Sequence, residues 1–182
     1  MFILESETAD NYVQGSGFIA KGIGLLTNYH VTEDDGIYVV STYKNEKVCT
    51  VCNSMNLKKH NQAIDYACYK FGTESEDALE VGSSRELTIG SSILVVGYPE
   101  YNKGNSPEIQ NTNITSERTF MKQRIYTISG RIVHGASGGV VLNDSHKVVG
   151  IISCGPATFA ETSESAVQGF IPIDDVLNDL GV

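Results

Sequence analysis

Short β-like runs recur along almost the whole of this 182-residue chain, and their spacing restricts the fold more than any other feature. Each run is rich in Val, Ile, Leu, Tyr or Phe, and Gly, Asn, Asp and Ser separate one run from the next. Many short strands divided by turn residues are typical of an all-β sandwich or barrel. The runs read, in order, YVQGSGFIA, GIGLLTNYH, GIYVVSTY, KVCTVCN, AIDYACYKF, SSILVVGY, QRIYTISG, GGVVL, KVVGIISCG and VQGFIPI.

One segment near the C-terminal end has a helical pattern instead. In IDDVLNDLGV, Asp174 can cap the first turn, and Val176, Leu177 and Leu180 are spaced to share one face. We therefore predict an all-β fold followed by a short helix.

Two stretches lack both patterns. Residues 72–87 are polar and divide the strands into two sets of similar length, so we expect two β domains, residues 1–80 and 81–182. Residues 100–118 are long for a loop of a compact domain, and loops of that length are often functional. We expect this second stretch to be a loop with a regulatory role.

The chain carries 13 basic and 22 acidic residues, which gives a net charge of −9. An acidic chain repels phosphate backbones and anionic lipids, so neither nucleic acid nor membrane is expected as a partner. The start, MFILESETAD, has no basic residue, and its apolar run is shorter than the core of a signal peptide. We expect a soluble, cytoplasmic monomer.

The four cysteines are Cys49, Cys52, Cys68 and Cys154. Cys49 and Cys52 form a C-x-x-C pattern, but their flanks predict a strand, in which residues three apart point to opposite faces. No second cysteine pair completes a four-ligand zinc site. We expect free thiols, no metal and no cofactor.

Ser137 lies in IVHGASGGVVL, where three glycines surround one hydroxyl directly before a strand-like run. Such a segment is either a tight hairpin or a nest of backbone N–H groups that holds a reactive oxygen. A serine hydroxyl is a weak nucleophile and needs an adjacent base. The candidate bases are the four histidines, His30, His60, His134 and His146.

His30 is the strongest candidate base, because it follows LLTN at a strand end, where catalytic groups often lie. His60 in LKKHNQ and His146 in NDSHK lie in polar segments that predict solvated loops. His134 is too close to Ser137 along the chain to fold onto it easily. We expect His134 to line a pocket instead.

Asp65 is the candidate carboxylate that would orient the base. It enters the apolar run AIDYACYKF, and a carboxylate in such surroundings needs hydrogen bonds or a charge partner. A strand-edge aspartate that caps a turn is the alternative interpretation. The chain order His30, Asp65, Ser137 is that of the chymotrypsin-type triad.

GASGG also fits the G-x-S-x-G motif of α/β-hydrolases, which is the rival interpretation of the same serine. That fold needs alternating strands and helices and the order Ser, acid, His. His146 is the only histidine after Ser137, and no helical pattern separates the two residues. The sequence therefore does not favour this fold.

Five blocks of the chain resemble the trypsin-like serine peptidases, and most closely the protease domain of the HtrA/Deg family. They occur in that family's order from about residue 13 to 175. The blocks are GSGFIAKGIGLLTNYHV, AIDYACYKF, SSILVVGYPE, HGASGGVVLNDSHKVVGIIS and VQGFIPI. Members of that family often continue into a PDZ domain, and the resemblance is to their protease domain.

The resemblance implies two six-stranded antiparallel β-barrels of the chymotrypsin type, with the active site between them. His30 would be the general base, Asp65 its orienting carboxylate and Ser137 the nucleophile, with the N–H groups of Gly135 and Ser137 as the oxyanion hole. It also implies a serine endopeptidase that acts on a protein or peptide through an acyl-enzyme. The alternative is a catalytically silent module that binds peptides or acts as a scaffold.

The resemblance further implies a specificity pocket built from three segments, with Ser153 close to Asp65. If Ile132, Val133 and Ile171 line this pocket, an apolar P1 residue is favoured. If Arg131 points inward, an acidic P1 residue is favoured. The implied pocket residues are Arg131, Ile132, Val133, His134, Ser153, Cys154, Gly155, Gly169, Phe170 and Ile171.

Ala136 is a departure from many secreted relatives, which have an aspartate there that pairs with a newly cleaved N-terminus. Activation through that ion pair is therefore not expected. Control by residues 100–118 or by a separate regulatory partner is a hypothesis.

Overall fold

The strand-like runs pair into two β structures in the computed structural model, which describes residues 1–7, 12–34, 36–120, 123–153 and 168–182. Within these ranges the chain forms thirteen strands and two short helices. In chain order they are β1 Phe2–Glu7, β2 Tyr12–Ala20, β3 Gly24–Thr27, β4 Tyr38–Ser41, β5 Lys47–Val51, α1 Asn53–Asn56, β6 Leu57–Asn61, β7 Tyr66–Tyr69, β8 Ser92–Gly97, β9 Glu108–Phe120, β10 Gln123–Ile128, β11 Val140–Leu142, β12 Val148–Ser153, β13 Gly169–Pro172 and α2 Ile173–Leu180.

The first half of the chain forms an antiparallel sheet of seven strands in the order β5-β4-β1-β2-β3-β7-β6. The long strand β2 joins its two parts, because Gly17 pairs with Phe2 of β1 and Ala20 pairs with Gly24 of β3. The side chains that form its core are buried and apolar. They include Phe2, Leu4, Ile19, Leu25, Tyr38, Val40, Val51 and Tyr69.

The second half forms a closed barrel of six antiparallel strands in the cyclic order β10-β13-β12-β11-β8-β9. Strand β9 makes this closure, since it pairs with β8 on one side and β10 on the other. A closed barrel has no unpaired edge on which another chain could add a strand. Its core includes Ile93, Val95, Ile114, Tyr126, Val141, Val149 and Phe170.

A third apolar cluster joins the two halves. Phe18, Leu26 and Tyr66 of the sheet pack into the same buried cluster as Ile151 of the barrel and Val176 of α2. Each fully buried side chain of this size contributes roughly 1.5–3 kcal/mol relative to an exposed one. The ends of β3 and β7 therefore lie against the barrel, next to the turn that precedes β11.

The predicted all-β class, with two β units and a C-terminal helix, is confirmed. The first unit differs in detail from the expected six-stranded barrel. Residues 2–7 form β1, which inserts between β2 and β4 and brings the sheet to seven strands. No ladder joins the edge strands β5 and β6 in the described part of the chain; α1 connects them along the sequence.

Two segments expected to be loops are strands. His60 lies in β6, and β9 occupies much of the stretch 100–118. Both sequences are polar, and hydrogen bonding to neighbouring strands determines their conformation. The connection between β8 and β9 is therefore residues 98–107, shorter than the regulatory loop expected from the sequence.

Residues 72–87 contain no strand, as expected, and they contact both halves. Leu79 forms an isolated parallel bridge with Ala20, and Val81 forms another with Val148. The domain boundary near residue 80 stays a prediction. Among the described elements, none is a helix long and apolar enough to cross a membrane.

Candidate active site

His30 lies just beyond the end of β3, a central strand of the sheet, and its ring faces Asp65. The Nδ1 atom is 2.9 Å from Asp65 Oδ2 and 3.0 Å from Oδ1. The backbone N–H of His30 donates to Oδ1 at 3.1 Å. The carboxylate thus contacts both the ring and the main chain of His30, which restricts the orientation of the imidazole.

Asp65 ends the turn between β6 and β7, in a left-handed conformation with φ of +64°. Its Oδ2 accepts a hydrogen bond from Ser153 Oγ at 3.2 Å, and its carbonyl accepts one from Asn28 Nδ2 at 2.9 Å. The carboxylate is largely buried and is hydrogen-bonded to several donors. This satisfies the requirement that the apolar flanks of Asp65 predicted.

The surroundings of His30 shift its pKa in two opposite directions. Burial lowers the pKa of the imidazole, whereas the hydrogen bond and negative charge of Asp65, and more weakly the charge of Glu33, raise it. The net direction is upward from the ordinary value. An imidazole with a raised pKa is a stronger base, and its protonated form is stabilised by the adjacent carboxylate.

Ser137 lies in the turn before β11, and the backbone of that turn contacts the sheet. The carbonyl of Ser137 accepts a hydrogen bond from the N–H of Ser16 at 2.8 Å. A Cβ atom on Gly138 would lie 2.1 Å from the Ser16 carbonyl oxygen and 2.4 Å from Thr27 Oγ1. The turn therefore approaches the end of β3, within a few residues of His30.

The Oγ atom of Ser137 forms no hydrogen bond with His30 among the residues that the structure describes. The His30 contacts at hydrogen-bond distance are those with Asp65. In proteins without substrate, contacts between a nucleophile and its base are often long and shorten when substrate binds. The structure thus places the segments of Ser137 and His30 next to each other, but their side chains form no hydrogen bond among the described residues.

Gly135 has a φ of +88°, and a Cβ there would lie 2.6 Å from the Tyr98 carbonyl oxygen. The position therefore requires glycine for both conformation and space. Within the described ranges, the N–H groups of Gly135 and Ser137 donate to no other group. Their use as an oxyanion hole stays a prediction.

Ser16 is a residue of the site that sequence reasoning did not select. Besides its contact with Ser137, its Oγ donates to the Gly135 carbonyl at 2.7 Å and accepts from the Tyr98 N–H at 2.9 Å. Its carbonyl accepts from Thr27 Oγ1 at 2.8 Å. Ser16 is fully buried and connects β2 to the turn that carries Ser137. The motif GSGF around it was the available signal.

Comparison with known proteins agrees with this geometry. A family model described as a trypsin-like peptidase domain matches residues 15–151. The chain belongs to this family. The HtrA-type protease AlgW with tripeptide has the same fold, with a TM-score of 0.76 and 22% identity over 97% of this chain and 57% of that chain. The predicted resemblance to an HtrA-like protease domain is confirmed.

Two curated relatives match over most of this trypsin-like domain. The anti-sigma-I factor RsgI9 of Acetivibrio thermocellus is 32% identical over 165 residues, 90% of this chain and 21% of the relative. The serine endoprotease DegS of Haemophilus influenzae is 26% identical over 172 residues, 91% of this chain and 48% of that protein. The chain therefore spans less than half the length of either relative.

The predicted pocket residues of this trypsin-like domain lie in different surroundings, and three of them share a cavity. Arg131, Ile132 and Val133 line a small cavity of about 20 Å³ that is also lined by Ala136, the residue before Ser137. The rest of its lining comes mainly from β8, β9 and β12. The other lining residues are Val95, Gly97, Pro99, Glu108, Gln110 and Ile152.

Ser153 of β12 pairs with Gly169 of β13. Ser153 also donates to the Asp65 carboxylate, so it lies close to Asp65 as expected. Gln168 adds a contact that the sequence did not reveal, since its Oε1 accepts the N–H of Ile132 at 3.0 Å. The segments around Ile132, Ser153 and Gly169 are thus adjacent.

Ile171 and Phe170 are not on this cavity. Ile171 is fully buried in the cluster shared by the two halves, and Phe170 lies in the barrel core. His134 is exposed, and its carbonyl accepts the N–H of Glu100 at 2.8 Å. The predicted pocket residues Cys154 and Gly155 lie outside the described residues. The assignment of the specificity pocket stays a prediction.

The two remaining histidines lie in other surroundings. His60 is exposed on β6, and its ring stacks on Tyr29 with a centroid distance of 5.0 Å. His146 is exposed in the turn between β11 and β12. The described residues contain no cluster that could hold a metal ion, and Cys49, Cys52 and Cys68 are free thiols.

Proposed function

We propose that this chain is a serine endopeptidase that cleaves protein or peptide substrates with His30, Asp65 and Ser137. The observation that carries the proposal is the His30–Asp65 pair, held at a strand end beside the turn of Ser137. The trypsin-like family supports the reaction class. The chain spans only part of the length of its relatives. Endopeptidase activity is therefore a proposal both for this chain and for any longer protein that contains it.

In the proposed reaction, the Ser137 hydroxyl transfers its proton to His30 Nε2 and its oxygen attacks the scissile carbonyl carbon. The N–H groups of Gly135 and Ser137 donate to the oxyanion of the tetrahedral intermediate, and each such donor is worth roughly 3–4 kcal/mol. Asp65 stabilises the imidazolium. The intermediate collapses as the leaving amine takes the proton from His30, which leaves an acyl-enzyme.

A water molecule then hydrolyses the acyl-enzyme by the same proton transfers in the opposite order. His30 takes a proton from the water as it attacks the acyl carbon, and the same two N–H groups stabilise the second oxyanion. The proton returns to Ser137 as the acid product leaves. The proposed cycle consumes one water molecule per peptide bond and needs no cofactor.

We propose a preference for apolar P1 residues. Ile132 is buried beside the turn, whereas Arg131 is exposed and forms no ion pair among the described residues, so an acidic P1 residue remains the competing outcome. Cleavage of a peptide library decides between the two. Cytoplasmic location and a monomeric state stay predictions from composition.

Reaction with a fluorophosphonate probe tests the proposed function. The probe bonds covalently to an activated serine, and peptide mass spectrometry locates the label. We expect the label on Ser137, none in Ser137→Ala and a much slower reaction in His30→Ala. Ser145→Ala, which removes an exposed turn serine, should react like the unmodified chain.

A peptide-binding module without activity is the second candidate, favoured by the missing hydrogen bond between Ser137 and His30. Folded protein that binds peptides and remains unlabelled, both alone and with peptide present, would contradict the endopeptidase proposal. Label on a different serine would also contradict it, because the nucleophile would then be misassigned.

A further inference from the structure

The turn that carries Asp65 has an uncommon backbone conformation that depends on Asn61. The carbonyl of Asn61 accepts the N–H of Asp65 at 2.8 Å, and its side-chain Oδ1 accepts the N–H groups of Ala63 and Ile64 at 2.9 and 3.2 Å. Asp65 follows with its positive φ. A non-glycine residue in this conformation persists only where its surroundings strongly favour it.

The direction of the Asn61 amide is decided by Asp179, which lies in the last turn of α2. Asn61 Nδ2 donates to Asp179 Oδ1 at 3.1 Å. A carboxylate accepts hydrogen bonds and cannot donate them, so it selects the NH₂ side of the amide. The amide oxygen of Asn61 is thereby left to face the turn, where it accepts the two N–H groups.

The same carboxylate also contacts the residue that follows Asp65. The hydroxyl of Tyr66, which is fully buried, donates to Asp179 Oδ2 at 2.5 Å. Lys59 Nζ lies 3.1 Å from the same oxygen. Asp179 therefore contacts the β6–β7 hairpin both before and after the turn, through Lys59 and Asn61 on one side and Tyr66 on the other.

From these contacts we propose that Asp179 is a positioning residue, which holds the turn in the conformation that directs the Asp65 carboxylate at His30. This assignment rests on the proposed function for its catalytic consequence, but its geometry can be tested without turnover. Gln123 also contacts the turn, since its Nε2 donates to the Ile64 carbonyl at 2.9 Å. Loss of Asp179 is therefore expected to shift Asp65 rather than to release it.

The test replaces Asp179 with asparagine, which has a similar size but replaces one of the two acceptor oxygens of the carboxylate by a donor NH₂ group. The amide nitrogen of the new residue would face donors from Asn61, Tyr66 or Lys59. We expect kcat to fall about tenfold, as a small displacement of a catalytic group can cause, with KM changed less than twofold. Asp179→Glu, which restores a carboxylate, is expected to recover part of the loss.

The pKa of His30 provides a readout that does not need activity. It can be measured by NMR titration of the ring in Ser137→Ala protein, with and without Asp179→Asn. We expect a lower pKa in the double variant, because a displaced Asp65 raises the His30 pKa less. Asp65 and Glu33 are the described charged groups that act on His30, and neither is altered.

Asp175→Asn is the matched control. Asp175 lies on the same helix and pairs with Arg124 of β10 at 2.9 and 3.1 Å, and the described hydrogen bonds of this pair include none to the Asp65 turn. We expect this variant to lose stability without a change in the His30 pKa or in kcat. If Asp179→Asn does not fold, Tyr66→Phe removes one of its contacts and is measured in the same way.

Equal His30 pKa and kcat values in the folded Asp179 and Asp175 variants would overturn the assignment. The same holds if the two variants lower kcat equally. If the unmodified chain is inactive but Asp179→Asn lowers the His30 pKa, the proposed function is refuted and the positioning role is supported. An active chain in which Asp179→Asn has no effect would refute the positioning role alone.

Discussion

The candidate active site has a sheet side, with His30 and Asp65, and a barrel side, with Ser137, and the side chains of the sheet side have more hydrogen bonds. On the sheet side, the Asp65 carboxylate accepts from the ring and N–H of His30 and from Ser153, and the turn around it has further contacts. On the barrel side, the backbone around Ser137 is held by Ser16, but the Ser137 hydroxyl has no hydrogen bond to His30 in the described chain.

Under the proposed function, the His30–Asp65 pair that would accept the proton is already assembled in the folded protein, and substrate binding would complete the contact between Ser137 and His30. The Ser137 hydroxyl and the N–H groups of Gly135 and Ser137, which donate to no acceptor among the described residues, are the groups that an entering carbonyl would engage in the proposed reaction. Each of the following predictions separates the two sides by changing one of them.

The largest effect is expected at the nucleophile. Ser137→Ala removes the attacking oxygen and should lower kcat roughly 10⁶-fold, the loss found for a triad serine in an unrelated fold. The sheet side should be unaffected, with the His30–Asp65 pair intact in an NMR titration. Peptide hydrolysis and that titration check both parts. Turnover that persists at more than about 1% would require another nucleophile.

Asp65→Asn changes the sheet side alone and should lower kcat roughly 10⁴-fold, because the imidazole would adopt the wrong tautomer. Asparagine tolerates a left-handed conformation, so the turn itself should survive. Ser153→Ala, which removes one donor to Asp65, is the milder comparison. An Asp65→Asn loss smaller than tenfold would indicate that another group orients His30.

The pH profile should follow the raised pKa of His30. Because catalysis needs the neutral ring, kcat/KM should rise as pH increases through that pKa, which we expect above the ordinary value of about 6.5. In Asp65→Asn the raising charge is lost, so the acid limb should move to lower pH. An acid limb that stays in place would mean that Asp65 does not set the pKa of His30.

Gly138→Ala changes the contact between the two sides. Its Cβ would clash with the Ser16 carbonyl and with Thr27, and the backbone has a φ of +83°. We expect a loss of about 3 kcal/mol in the free energy of unfolding, with a fall in Tm of roughly 6–12 °C and lower activity.

Gly90→Ala is the matched control for Gly138→Ala. Gly90 also has a positive φ, of +93°, but no atom lies within 4 Å of the added Cβ. Its loss should be limited to backbone strain of about 1 kcal/mol. Thermal unfolding of both variants compares them, and equal losses would mean that the contact between Gly138 and Ser16 contributes little.

The smallest effect is expected at His60. Its exposed ring stacks on Tyr29 but contacts none of the three proposed catalytic residues among the described hydrogen bonds. His60→Ala should change kcat/KM less than about twofold, as surface substitutions away from specific features usually change little. A loss of a hundredfold or more would indicate that His60 is the base and would reverse the assignment of the sheet side.

Several features of the site followed from local sequence. The apolar neighbours of Asp65 predicted a carboxylate that needs partners, and the structure supplies His30, Ser153 and the turn. The glycines around Ser137 predicted a nest of backbone N–H groups, and Gly135 has the positive φ that such a turn requires; its use as an oxyanion hole stays a prediction. The partners of Asp65 and the backbone of this turn could be inferred because burial cost and backbone freedom depend on a residue and its near neighbours.

Other features could not be read in this way. Ser16 and Gln168 are ordinary polar residues in sequence, and their roles arise from contacts more than 30 positions away. Strand β9 has few apolar residues, yet two neighbours pair with its backbone along its length. Ile171 was expected on a pocket wall, but the packing of α2 and both β units buries it.

By itself, the sequence determined the all-β class, the order of the chemical groups and the residues most costly to leave without partners, because these depend on alternation, glycine and burial within short windows. Tertiary structure alone decided that the sheet has seven strands, that Asp179 contacts both sides of the Asp65 turn and that Ser16 connects the two halves. Those features result from hydrogen bonds and packing between segments distant in the chain, which no local pattern encodes.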